Sequence, residues 1–214
     1  EQVVLSVDAL RIGNRKDKYC YTLQGIDLDS KERLLTVNDV AFIPFLDEAA
    51  FARASRWQTD RFDAAFQQLQ FNNVSVREVL DGNLVAEELL IHKGRLKIYR
   101  DKSKPLQKES KVGNYPHQQL MKLPFDLALQ RVQVNNSYVE YKEKNPGSGA
   151  SGAIRFHQAS LTMEHVTNRQ QELERSGAVH VAFQAKFLDA VPLKVKLTLY
   201  PADKQGRFTA TGTM

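Results

Sequence analysis

The stretch from Leu84 to Lys102, LVAEELLIHKGRLKIYRDK, limits what this chain can fold into. Apolar residues alternate through Leu89 and Ile91, the pattern stumbles at His92-Lys93-Gly94, and it resumes at Leu96 and Ile98. Successive side chains on a strand point to opposite faces. Ile91 and Leu96 are an odd number of residues apart. They share a face only if a bulge or bend between His92 and Arg95 absorbs one residue. Gly94 is the expected corner, because glycine accepts positive φ. The stretch then reads as one long strand turning a corner.

The same device recurs. The pattern is apolar, any, apolar, then a polar residue able to bond its own backbone, with another apolar residue four positions on. Its polar position falls on Gln24, Asn38, Asn72, His92, Asn135 and His157. The intervals are 14, 34, 20, 43 and 22 residues, which excludes a fixed-period solenoid. A β-rich chain produces some such matches unaided. Either way the pattern predicts many long strands with kinks or turns of one kind.

The rest of the chain agrees. Strands are expected over 2–14, 19–29, 34–43, 61–71, 125–144, 153–166, 177–188, 192–200 and 207–214. Arg15 to Lys18 reads as a charged turn, and Asp189 marks another. Asp47 to Trp57, rich in alanine with acids in its first turn, predicts the best helix. Ser75-Val-Arg-Glu78 has capping-box spacing, and Pro116 suits the first position of a short helix over 115–123. The segment 167–176 is helix or loop. The lysine-rich stretch 103–114 reads as the longest flexible loop and the softest place to divide a single elongated unit. No strand alternates with a long helix, so no doubly wound parallel sheet is expected.

Composition narrows the chemistry. The formal net charge is +5, spread along the chain, which favours anionic partners without naming one. One cysteine, Cys20, excludes an internal disulfide and a CxxC metal site. No apolar run reaches the ~18 residues of a membrane-spanning helix. The sequence starts at Glu1 in alternation and ends on Phe208 to Met214 like a strand cut short, so a piece of a longer protein is expected.

No catalytic motif stands out. Gly147-Ser-Gly-Ala-Ser-Gly152 matches a dinucleotide fingerprint literally, but a strand pattern follows it rather than a helix, so it reads as a hairpin loop. His92, His117, His157, His165 and His180 have no metal-ligand spacing, and no nucleophile elbow exists. Glu87-Glu88 and Asp47-Glu48 read as solvated charges. The basic run Lys93, Arg95, Lys97, Arg100, Lys102, Lys104, Lys108 and Lys111 suits a solvated strand edge or a surface meeting anionic headgroups. Only Tyr99 interleaves with it, so no nucleic-acid platform is expected.

One resemblance covers most of the chain. Leu89-x-Ile91 through Gly94-x-Leu96-x-Ile98-Tyr-Arg-Asp-Lys102 leads to a helix ending in Leu123-Pro124. Val132-x-Val134-Asn-Asn136, Val139-x-Tyr141-x-Glu143 and Gly152-x-Ile154-x-Phe156 follow. Together they resemble bacterial AsmA-like envelope proteins, relatives of TamB and of the bridge-like lipid transfer proteins. The resemblance implies long bent antiparallel strands forming a curved open sheet or groove. It implies a non-enzymatic periplasmic segment of a parent anchored in the inner membrane of a Gram-negative-type envelope. The groove would carry phospholipid or another membrane lipid, for lipid transport or outer-membrane assembly and maintenance, with envelope proteins as partners. No cofactor, metal or nucleic acid is expected. The candidate groove lining is Leu89, Ile91, Leu96, Ile98, Val132, Val134, Val139 and Tyr141. The alternative is a β-rich structural or interaction module whose own helices fill the apolar face, through Phe51, Trp57 or Leu120. A cleft joining His157, His165 and carboxylates would instead revive an enzyme.

Overall fold

The computed structural model describes residues 3–14, 18–107, 112–188 and 190–214. The strands are β1 (Val4–Asn14), β2 (Tyr19–Asp29), β3 (Leu34–Pro44), β4 (Asp60–Asn72), β5 (Leu84–Asp101), β6 (Leu127–Lys144), β7 (Ser151–Thr167), β8 (Val179–Phe187), β9 (Val191–Leu199) and β10 (Phe208–Thr213). They form one open sheet in sequence order, β1 at one edge and β10 at the other. Among the described residues four short helices punctuate it: α1 (Glu48–Ala54), α2 (Val76–Leu80), α3 (Pro116–Gln119) and α4 (Gln170–Ser176). Residues 15–17 of the expected turn from Arg15 to Lys18, Asp189, and the lysines 108 and 111 lie outside the described residues.

The expected antiparallel sheet fails at one joint. β5 and β6 run parallel, Leu84 beside Leu127 through Asp101 beside Lys144. A parallel pair cannot be closed by a hairpin and needs a crossover. Residues 102–126, called the strap below, carry the chain back from the end of β5 to the start of β6. The strap holds α3, with Pro116 at its start as expected, and a 3-10 turn over Leu120–Lys122.

The kinks lie where the sequence put its polar residues. The residue after each one has positive φ: Gly25 (51°), Asp39 (45°), Asn73 (52°), Lys93 (50°), Asn136 (49°) and Gln158 (49°). Asn73 directly follows β4, and the other five bend strands internally. Gln24, Asn38, Gln68, His92 and Asn135 pair side by side, so the bends of β2, β3, β5 and β6 form one fold line across the sheet. Amides stitch it: Asn38 Nδ2 donates to the Gly25 carbonyl at 3.2 Å, and Gln68 Nε2 donates to Asn38 Oδ1 at 3.2 Å.

The corner of β5 is Lys93, one residue before the glycine expected there. Gly94 serves close packing instead. A Cβ on it would meet Ser137 Oγ at 2.8 Å and the Phe66 ring at 3.1 Å. The Gly94 amide donates to that same Oγ at 2.9 Å.

The bend keeps one face apolar across an odd step. Val37 is in the buried core and Val40, three residues on, packs against it. Across neighbouring strands three apolar stripes result. The first is Leu28, Leu35, Phe71, Leu89, Val132, Met163, Val181 and Leu197. The second, Ile26 to Val195, runs beside it through Ile91 and Val134. The third lies beyond the fold line: Tyr21, Phe42, Ala64, Leu96, Val139, Phe156, Phe187 and Val191. Leu28 is 2% exposed and Val132 3%, although the sheet is a single layer. Short helices cannot cover eight strands, so the sheet curves around these side chains into a trough.

The strand ends form two rims. The first gathers Tyr19, Pro44, Asp60, Asp101 and Lys144, and the second gathers Asp29, Leu34, Asn72, Leu84 and Thr167. Asp47 caps α1 on the first rim, its carboxylate accepting from the Ala50 amide at 2.7 Å. On the second, Arg169 joins Glu78 (2.8 Å), Asp126 (3.1 Å) and Glu172 (3.7 Å), tying α2, the strap and α4 together.

Candidate functional site

The eight expected lining residues fall on the two central strands in register. Leu89 pairs with Val132, Ile91 with Val134, Leu96 with Val139 and Ile98 with Tyr141. By the stripe argument Leu89, Ile91, Leu96 and their partners share the apolar face, and the bend at Lys93 is what makes this so. Their surroundings differ. Leu89 and Val132 are buried in the core near the second rim, whereas Leu96, Ile98, Val139 and Tyr141 are half-buried. The trough is therefore packed on one side of the fold line and more open on the other. There the third stripe extends to Ile12 on β1, and Ile12, Tyr21 and Val191 are exposed.

The strap accounts for part of that asymmetry. Leu120 packs against the core, so the strap crosses on the apolar side. Gln118, buried, anchors it. Its Oε1 accepts from the amides of Gly113 (2.7 Å) and Tyr115 (3.3 Å), and its Nε2 donates to the Asp203 carbonyl at 2.9 Å. Tyr115 lies where a side chain on Gly206 would stand, 2.5 Å from an ideal Cβ. Val76 and Val79 of α2 add to the same packed side. Phe51 is buried elsewhere, near the first rim, 6.1 Å from Tyr19 ring to ring, and Trp57 is half-buried under Arg56.

Toward the first rim the floor ends in charge. Tyr141 donates its hydroxyl to Glu143 at 2.7 Å, Glu143 pairs with Lys102 at 2.7 Å, and Arg100 binds both carboxylate oxygens of Asp60. Desolvation, with the Glu143 carboxylate beside it, pushes the Tyr141 phenol up to about 12. Lys102 and the Tyr141 hydroxyl hold the Glu143 carboxyl below its usual range. Burial raises the Tyr99 phenol, helped by Asp101 and Glu48. Tyr141 is thus a polar end to the lining rather than part of an apolar wall.

The remaining motifs separate. The glycine-rich loop is the hairpin between β6 and β7, with Asn145 Oδ1 accepting from the Gly147 amide at 2.8 Å. His157 and His165 line different hollows. One, about 350 Å³, gathers Lys93, Asn136, Gln158 and Lys186 around His157. The other, about 630 Å³, gathers Glu87, Glu88, Glu164 and Arg131 around His165. Glu88 is not a solvated charge, since it accepts from Asn72 at 3.1 Å and from Gln133 at 2.7 Å. No group of three His, Cys, Asp or Glu side chains suited to a metal occurs among the described residues.

Sequence reasoning missed the outer parts of the stripes, from Leu28 to Leu197, and the anchoring role of Gln118. The alternation within each strand carried the first signal. Nothing local carried the second, because Asp203 is 85 residues from Gln118. Set beside known proteins, the chain matches no family model and no curated sequence.

Proposed function

We propose that the chain offers an apolar β-trough that holds the acyl chains of a phospholipid or another membrane lipid. The observation that carries this reading is the third stripe, an apolar floor crossing eight strands that is left largely half-exposed. Contiguous apolar surface of that extent marks a binding face. Its contacts are non-directional and suit flexible chains, each buried methylene contributing about 0.8 kcal/mol. The resemblance to AsmA-like proteins supports the same reading. It adds a periplasmic place within a membrane-anchored parent, a part in lipid transport or outer-membrane maintenance, and no catalytic step.

The test is mass spectrometry of lipid extracted from the purified chain, with binding of a fluorescent phospholipid. Co-purified lipid is expected, together with its loss from Leu96→Asp and Val139→Asp variants that keep their far-UV circular dichroism. A chain without lipid, and without binding, would sink the proposal. It would leave the second reading, a β-rich interaction module, which is favoured by Leu120 filling part of the trough.

A further inference from the structure

The first rim has a charge imbalance that its ion pairs expose. Among the described residues each of its carboxylates is occupied: Asp47 caps α1, Glu48 pairs with Lys142, Asp60 with Arg100, Asp101 with Lys144 and Glu143 with Lys102. The cations left over include Lys18, Arg53, Arg56 and Lys104, none of which meets a carboxylate among the described residues, and Arg61, which donates to the Leu46 carbonyl instead. On the second rim Arg77, Arg169 and Arg207 are ion-paired and Arg33 donates to the Val74 and Asn73 carbonyls, while Lys31 and Arg175 meet no carboxylate among the described residues.

Exposed apolar side chains stand among those free cations. Leu106 is 69% exposed and Phe45 41%, and the Arg56 guanidinium lies 4.9 Å from the half-buried Trp57 ring. Hydrogen bonds hold the patch in two parts. The Phe45 amide donates to the Lys18 carbonyl at 3.0 Å, and Gln58 bonds the carbonyls of Lys104 (2.9 Å) and Pro105 (3.0 Å). Cations on long apolar stems, a tryptophan and protruding leucine and phenylalanine match a lipid interface in both charge and polarity.

We propose that the first rim docks on an anionic bilayer, with Lys18, Arg53, Arg56 and Lys104 against lipid phosphates and Phe45, Trp57 and Leu106 at the headgroup boundary. The surface lies outside the trough floor, so this goes beyond the lipid-holding reading and stands without it. Docking on this rim brings the more open side of the trough to the membrane.

Co-sedimentation with phosphatidylcholine vesicles, with and without phosphatidylglycerol, is the test. Binding is expected only with phosphatidylglycerol and should weaken as salt rises. Reversing Arg53, Arg56 and Lys104 to glutamate should weaken it about a hundredfold, at about fivefold per cation. Phe45→Asp with Leu106→Asp should weaken it without changing the fold. Val139→Asp should lose bound lipid yet still sediment, which separates a failure here from a failure of the trough reading. Equal binding to both vesicles, or charge-reversed protein that binds like the parent, would overturn the proposal. So would tighter binding to a nucleic-acid duplex than to vesicles at equal phosphate concentration.

Discussion

At the residue scale, Lys93 has taken the corner expected at Gly94, and Gly94 has taken a close-packing role. Left-handed backbone at a non-glycine residue costs about 1–2 kcal/mol, and Lys93 bears it at φ 50°. Lys93→Gly should therefore raise the urea midpoint, by up to about 1 kcal/mol of stability. Gly94→Ala should lower it by about 1–3 kcal/mol, because the new methyl meets Phe66 and Ser137. A glycine that needs left-handed backbone and one that needs space look identical in sequence. The polar residue before each bend was the legible part, because its position is fixed relative to the apolar pair ahead of it. Tyr141 supplies a pH prediction at the same scale. Its phenol ionises near 10 when unfolded and at about 12 when folded. The stabilisation is complete below pH 10 and is lost as pH rises toward 12, because the unfolded chain sheds that proton first. Alkaline unfolding followed by tyrosinate absorbance should show this slope, and Tyr141→Phe should flatten it.

At the scale of elements, the strands were readable and their pairing direction was not. Alternation reports which face a residue takes, whatever the direction of the neighbour, so β5 and β6 looked like any other pair. The clue was the long polar stretch between them, read as a loop when it is a crossover. The strap depends on one side chain. Gln118→Ala leaves two amides and a carbonyl without their partners, in a buried setting where each costs about 1–3 kcal/mol. Hydrogen exchange in that variant should speed up in 112–123 and 200–207, with much smaller changes in β3 and β4. An unchanged pattern would mean that Leu120 holds the strap alone.

For the whole molecule, the sheet's openness is its main liability as well as its use. Among the described residues neither β1 nor β10 has a partner on its outer side, and β1 exposes Val4, Leu5, Val7, Leu10 and Ile12. Unpaired edges of that kind template association. Light scattering should show concentration-dependent self-association, and Leu10→Lys should reduce it. Scattering independent of concentration would argue that the edge twists out of reach.

The single parallel joint has a kinetic meaning. On either side of it lie two meanders, β1–β5 and β6–β10, in which every strand contacts its sequence neighbour. Such local pairings close short loops and form early, while the joint must wait for a crossover to fold back across the sheet. Folding should therefore proceed as two halves followed by a slower docking step. A chain cleaved within the strap should still assemble from its two pieces, more slowly and with a rate that depends on their concentration.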